Sequence, residues 1–271
     1  MNTSSAHSAL WETALVRSPM LSPADREALI QIAAEPRPFK AGVDLIVEGG
    51  RTDTIFIIPR GWACRYKITR QGARQITGIV VPGDVCNLDS FMLPQVNYAV
   101  RTITPGVAIG LPRERVQALA ADSPAIARAF TWLTIVENAI LSEWALSLGR
   151  KTAHERLAHL FCEFAVRLGC AKGDRASYDM PITQEHIADA LGLTAVHVNR
   201  MIQQLRREGL LVTQSRRVTL PNMAALRRIA SFDEGYLQAD EPGDVEATTT
   251  APWLRGSTTH ARGVQSYNVQ A

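Results

Sequence analysis

Between Pro181 and Gly209 two short amphipathic stretches meet at one glycine. No other part of the chain restricts its fold as tightly. The first, Gln184-Glu185-His186-Ile187-Ala188-Asp189-Ala190-Leu191, follows Thr183, a residue suited to cap a helix. Gly192 breaks it and Leu193 can turn inward. Thr194 then caps a second helix from Ala195 to Glu208, which Gly209 stops. Ile187, Leu191, Val198, Ile202 and Leu205 recur at helical spacing and can share one small core. Two helices across a tight glycine turn are the layout of a helix-turn-helix. With the apolar set inward, Val196, His197, Asn199 and Arg200 are left for DNA base readout. Thr183, Gln184, Thr194, Gln203 and Arg206 are left for the DNA backbone. An isolated helical hairpin has the same periodicity, so the flanking sequence must decide.

Downstream, Leu210-Leu211-Val212-Thr213 and Val218-Thr219-Leu220 read as two strands around the basic turn Gln214-Ser215-Arg216-Arg217. This is the wing of a winged helix, and Ser215, Arg216 and Arg217 are expected at phosphates. Asn222 caps a last helix through Leu226 to Ile229, with Phe232 and Tyr236 closing the domain. The formal net charge is only +3, yet Thr194 to Arg228 holds seven arginines and one acid, Glu208. A locally basic surface suits nucleic acid, although a solvated helix face carries the same charge.

Upstream, Ser22-Pro23-Ala24-Asp25 starts a helix that runs to about Ala34. After Pro36 short β-branched and aromatic segments alternate with glycine breaks: 39–42, 44–49, 54–59, 61–67, 75–81 and 98–103. Ile55-Phe56-Ile57-Ile58 reads as a buried strand. Trp62, Cys64 and Tyr66 alternate with Ala63, Arg65 and Lys67, so one face is expected to be wetter than the other. This grammar predicts an antiparallel roll. Arg65, Lys67, Arg70, Arg74 and Gln75 make it locally basic, most simply as a solvated face. A short helix opens at Pro112. Another runs from Ser123-Pro124 without interruption to Gly149, with Ile126, Phe130, Leu133, Val136, Ile140 and Trp144 in one stripe. A partner helix in a second subunit, or the chain's own β domain, can bury that stripe. A further helix spans about 150–169. His154 and His159 lie five apart there, not at the one-turn spacing of a helical metal pair.

The fold class is therefore α+β. Residues 1–121 form the β-roll sensor domain, 122–149 the dimerisation helix and 150–240 the winged helix-turn-helix. Residues 241–271 form a tail expected to be disordered, in which Trp253-Leu254 is a lone apolar pair. The four cysteines, Cys64, Cys86, Cys162 and Cys170, form no C-x-x-C pair and read mostly as packed thiols; Cys86 follows a turn that can expose it, but packing is the simpler reading there too. No metal site is expected. No signal peptide or membrane-length apolar run is present in the text, and a cytoplasmic home is expected. G-x-S-x-G, H-E-x-x-H and G-x-x-x-x-G-K are absent, so no enzyme is expected.

Three stretches carry a specific resemblance: GWACRYKITRQGARQITGIVVPGDV at 61–85, GRKTAHERLAHLF at 149–161 and ITQEHIADALGLTAVHVNRMIQQLRREGLL at 182–211. The sequence resembles the cyclic-AMP receptor protein and fumarate–nitrate regulator (Crp/Fnr) family over about residues 20–240. The resemblance implies a cyclic-nucleotide-binding-like roll and a homodimer on a pseudo-palindromic site in double-stranded DNA. It also implies contact with RNA polymerase in activators, and control by a signal at the roll. Where the family often carries arginine, glutamate and arginine on its second helix, this chain has Ala195, Val196 and Arg200. Only Arg200 matches, so a different half-site is implied. Near the family's ribose glutamate stands Leu88 beside Asp89, and at its arginine–serine pair stand Asn97 and Tyr98. Asp84, Asn87, Asp89, Asn97, Tyr98 and Arg101 are the candidate effector pocket. Cyclic AMP of the usual kind is not expected. An iron–sulfur cluster is not expected either, since no cysteine precedes Cys64, nor a haem, since no residue stands out as an axial ligand. The rival reading is a ligand-binding or protein-interaction module without a DNA target.

Overall fold

The computed structural model describes residues 10, 11, 13–171 and 173–237; the predicted tail, with Trp253 and Leu254, lies outside them. Local caps set most helix starts. At α1 (Pro23–Ile32) Ser22 and Asp25 cap reciprocally: Asp25 N donates to Ser22 Oγ, and Ser22 N to the Asp25 carboxylate. Thr152 and Glu155 repeat this device at α4 (Ala153–Arg167).

The roll is made of two antiparallel sheets. One pairs β1 (Arg37–Phe39), β7 (Gly106–Pro112) and β3 (Thr54–Arg60) in that order. The other runs β2 (Asp44–Ile46), β6 (Ala99–Thr102), β4 (Ala63–Ile68) and β5 (Arg74–Val80). Ile46, Ile58, Val80 and Val100 fill the space between them. Within β3, Ile55, Ile57 and Ile58 are buried and Phe56 is half-buried. The alternation along β4 holds for Arg65 and Lys67, whereas Ala63 on the same face is fully buried between β5 and β6. Cys86 is fully buried, as a packed thiol; the turn before it folds back so that its N–H donates to Phe56 O.

Helices α2 (Arg113–Asp122) and α3 (Pro124–Arg150) follow. The start of α3 packs with α1 and β3, and Ile126 and Phe130 join Leu29, Ile55 and Val116 in one cluster. Beyond α4 come β8 (Ala176–Asp179), α5 (Gln184–Leu191), α6 (Ala195–Arg207), β9 (Val212–Gln214), β10 (Arg217–Leu220) and α7 (Met223–Ala230). The strands form one antiparallel sheet, β8-β10-β9. The largest apolar cluster crosses from roll to helices: Trp62, Tyr66 and Ile79 share it with Phe164, Ile187 and Leu205. Trp62 and Phe164 meet edge-on with centroids 5.4 Å apart.

The predicted stripe on α3 is divided. Ile126, Phe130 and Trp144 are at most 5% exposed within the single chain, and Leu133, Val136 and Ile140 are half-buried. The apolar side chains that α3 presents outward are Ile135, Leu141 and Leu146, 56%, 49% and 49% exposed. The roll's basic residues are also not simply solvated. Arg65 pairs with Glu137 of α3, Lys67 with Glu48 and Arg74 with Asp189.

Candidate nucleic-acid interface

The reading unit is built from its caps. Thr183 Oγ1 accepts from His186 N at 3.2 Å, while Thr183 N donates to His186 Nδ1 at 3.3 Å. A histidine thus takes the place that Glu or Gln usually holds in such a box. Burial, and then the Arg74 guanidinium, hold His186 below its ordinary pKa and so favour the neutral ring that can accept. Gly192 ends α5 at φ 62°, a left-handed conformation suited to glycine, and its N–H donates to Ala188 O. Thr194 Oγ1 accepts from His197 N and starts α6.

Val198, Ile202 and Leu205 then face the core and are at most 7% exposed. The opposite face of α6 is open: Val196 is 79% exposed, Asn199 and Arg200 are exposed, and His197 and Gln203 are half-buried. Gln184, in the first turn of α5, donates from Nε2 to Asn199 Oδ1 at 3.4 Å, which brings the two helices' polar faces together.

The β9–β10 hairpin follows α6 in the chain, and its turn carries Ser215 and Arg216. Ser215 sits at φ 53° and Arg216 is exposed. Arg217 bonds Ser177 Oγ at 3.0 Å and lies 3.6 Å from Asp179. Arg206 reaches Thr213 Oγ1, which ties α6 to β9. Of the residues expected at the DNA backbone, Thr183 and Thr194 also serve as caps.

The six candidate effector residues all take part in structural bonds. Asp84 Oδ2 accepts from Val81 N and from Arg167. Asn87 is fully buried and bonds Phe56 N, Thr54 O and Ser90 Oγ. Tyr98 Oη donates to Asp89, and Arg101 donates to Gly42 O and faces Asp44. The backbone oxygen of Asn97 accepts from Lys67. A cleft of about 620 Å³ does open elsewhere, between Gly61-Trp62 and Thr104-Pro105 of the roll and the Ser215–Arg217 turn; none of the six lines it. Sequence reasoning missed Arg74 and Gln75 as partners of α5, because 115 residues separate them and periodicity carries no such information.

Among the described residues no group of three or more His, Cys, Asp or Glu side chains could hold a metal ion, and no helix is long and apolar enough to cross a membrane. His159 is buried and His154 pairs with Glu208 at 2.9 Å.

A β roll, a long helix, a capped two-helix unit with an open polar face and a basic hairpin beside it together define a DNA-binding transcription regulator. Family comparison agrees. A Crp-like helix-turn-helix domain matches residues 155–229 and a cyclic nucleotide-binding domain matches residues 36–123. The transcriptional activator protein FnrL of Cereibacter sphaeroides is 29% identical over 202 residues, 73% of this chain and 81% of that protein. The nitrogen fixation regulation protein FixK of Azorhizobium caulinodans is 27% identical over 198 residues, 72% and 79% respectively. The structure of FixK2 from Bradyrhizobium japonicum superposes with a TM-score of 0.68 at 26% identity, covering 74% of this chain and 99% of that one. The chain belongs to the Crp/Fnr family of transcription regulators.

Proposed function

We propose that the protein is a transcription activator that binds a pseudo-palindromic DNA site as a homodimer, under control of a signal received by the roll. The reading divides the chain into a sensor (1–121), a dimerisation helix (122–149) and a DNA-binding domain (150–240). The observation that carries it is the two-faced α6. Val198, Ile202 and Leu205 anchor one side, while Val196, His197, Asn199 and Arg200 stand on the other. Such a helix enters a major groove with its N-terminal residues against base edges. Arg200 suits guanine, and Val196 suits a thymine methyl but offers no acceptor to a cytosine amine. Gln184, Gln203, Arg206, Ser215, Arg216 and Arg217, with the Thr183 and Thr194 helix starts, supply phosphate contacts that set register.

Activation is favoured by the relatives, named as transcriptional activators, and contact with RNA polymerase follows from that role. The exposed Ile135, Leu141 and Leu146 of α3 suit a second copy. A cyclic nucleotide held in the family's usual way is not part of this reading. Arg65 is paired with Glu137 and lies 5.8 Å over the Tyr98 ring, and Arg101 is turned to Gly42 O and Asp44, which supports a signal other than a phosphate held by these two guanidinium groups.

Selection of bound duplexes from a random library with the full-length protein tests the reading. A two-fold symmetric consensus, with its half-sites about one helical turn apart, is the expected result. Enrichment of no duplex, by the intact chain or by residues 150–240, would replace it with the interaction-module reading.

A further inference from the structure

The turn between α5 and α6 is gripped from outside the DNA-binding unit. Arg74, the first residue of β5 in the roll, donates from Nε to Asp189 Oδ2 at 2.7 Å, with Nη2 2.6 Å from the same oxygen. Its neighbour Gln75 donates from Nε2 to Ala190 O at 3.2 Å. Ala190 lies in the last turn of α5, where carbonyls lack a partner inside the helix. The next carbonyl, Leu191 O, accepts from Arg156 of α4 at 2.9 Å. Both ends of the grip rest on one continuous core: Tyr66 and Ile76 of the roll are in the same apolar cluster as Ile187 and Leu191, and Arg74 lies 5.9 Å over the Tyr66 ring. Arg74 and Asp189 are 28% and 30% exposed, so water screens the pair only in part.

We infer that Arg74 and Gln75 are positioning residues for DNA recognition. The roll holds the helix-turn-helix directly, through β5, in the pose from which α6 meets the groove. The inference rests on the DNA-binding reading above and deepens it, because it supplies a second route from sensor to reading head besides α3. A displacement of β5 moves the Asp189 carboxylate and the Ala190 carbonyl together, and with them the turn that aims α6. The open face of α6 is not covered in the gripped pose, so the grip favours binding rather than blocking it. A head released from the roll samples other poses and must lose that freedom on binding.

Simple electrostatics and the grip predict opposite signs for Asp189→Asn. Deleting an anion near a polyanion tightens binding if charge alone matters. If the grip matters, binding weakens, by about fivefold for the two partly exposed pairs of the dimer, one in each protomer. Full-length wild type, Asp189→Asn, Arg74→Met and the double variant would be titrated against the selected duplex. Thermal unfolding would check that each is folded. The expected result is the same loss of about fivefold in all three variants, because each removes one shared interaction. Tighter binding by Asp189→Asn, or unchanged affinity, overturns the inference. So does an additive double variant in which only Arg74→Met lowers the salt slope, by about two for the two protomers, since Arg74 would then be a phosphate contact. Hydrogen exchange at Gly192 and Leu193 in the DNA-free protein gives an independent measure, expected to rise several-fold in Asp189→Asn. If wild type selects no duplex, the DNA reading falls, and unchanged exchange would then reject the grip on its own.

Discussion

Trp144 of α3 donates its indole proton to the Glu163 carboxylate of α4 at 2.8 Å, at a point where Glu163 is fully buried. The same carboxylate accepts from Arg167 Nη1 at 3.0 Å and from Tyr236 Oη at 3.1 Å. Arg167 goes on to Asp84 Oδ2 at 2.6 Å and Ile79 O at 2.8 Å, both in the roll. One buried charge therefore ties together the long helix, the DNA-binding domain, the end of the described chain and the sensor. A buried carboxylate is tolerable only with such donors around it.

Arg167→Leu should be among the most damaging single changes in the chain. It leaves Glu163 buried without its cation, a defect that costs about 3–5 kcal/mol. Urea unfolding at pH 7 checks this. A loss below about 1 kcal/mol would mean that Trp144 and Tyr236 suffice to hold the carboxylate. Asp84→Asn should cost less, because Asp84 keeps 27% of its side chain in water.

His159 extends the network and gives it a pH dependence. Tyr236 gives its proton to Glu163, so its oxygen accepts from His159 Nε2 at 3.0 Å, and His159 Nδ1 accepts from Lys151 at 2.7 Å. Burial, and then the Lys151 ammonium, push the His159 pKa down to about 4. In the unfolded chain it returns to about 6.5. The folded value is the lower one, so this group's contribution is complete above about pH 6.5 and is lost as pH falls toward 4, by at most about 1.4 kcal/mol per pH unit. Urea midpoints of wild type and His159→Gln at pH 7 and pH 5 test it. The wild type should lose more stability between the two, and equal losses would assign the slope to other groups.

The caps, the glycine turn and the roll's strand grammar are local, and they are legible in the sequence: Thr183, Thr194 and Asn222 all start helices. Strands β7 and β8 are not. In β7, Gly106, Gly110 and Pro112 look like loop punctuation. Yet a Cβ on Gly106 would come within 2.2 Å of Arg60 O, and one on Gly110 within 2.7 Å of Thr54 Cγ2. These glycines permit close strand packing rather than breaking the strand. Strand β8, Ala176–Asp179, is four residues with no apolar run. On α3 the period reveals that a stripe is buried, but not by what. Ile126 and Phe130 go to the chain's own core, and periodicity alone could not assign them.

That division gives a test of the dimer. Leu141→Asp and Ile135→Asp alter side chains that the single chain leaves half exposed. They should produce a folded monomer with unchanged far-ultraviolet dichroism, and duplex affinity should fall by at least about a hundredfold as the second half-site contact is lost. Phe130→Asp places a charge in a site only 1% exposed and should unfold the N-terminal part instead. Sedimentation and dichroism separate the two. If the Leu141 variant stays dimeric, the interface lies elsewhere.

The last prediction separates residues that position from residues that specify. Arg216, at the exposed hairpin turn, is suited to phosphate. Arg216→Ala should weaken binding to every duplex alike and reduce the slope of log K against log salt by about 1.8, about 0.9 for each protomer of the dimer. Val196→Glu should leave that wing contribution in place and change the selected bases, because a carboxylate accepts from a cytosine amine where a valine touches a methyl. Arg200→Ala should relax preference at one position at a cost of about 1–3 kcal/mol. Repeating the duplex selection with each variant, at two salt concentrations, reads all three effects. An unchanged consensus for Val196→Glu would remove Val196 from the reading face. A changed consensus for Arg216→Ala would place the hairpin turn against the bases rather than the phosphates.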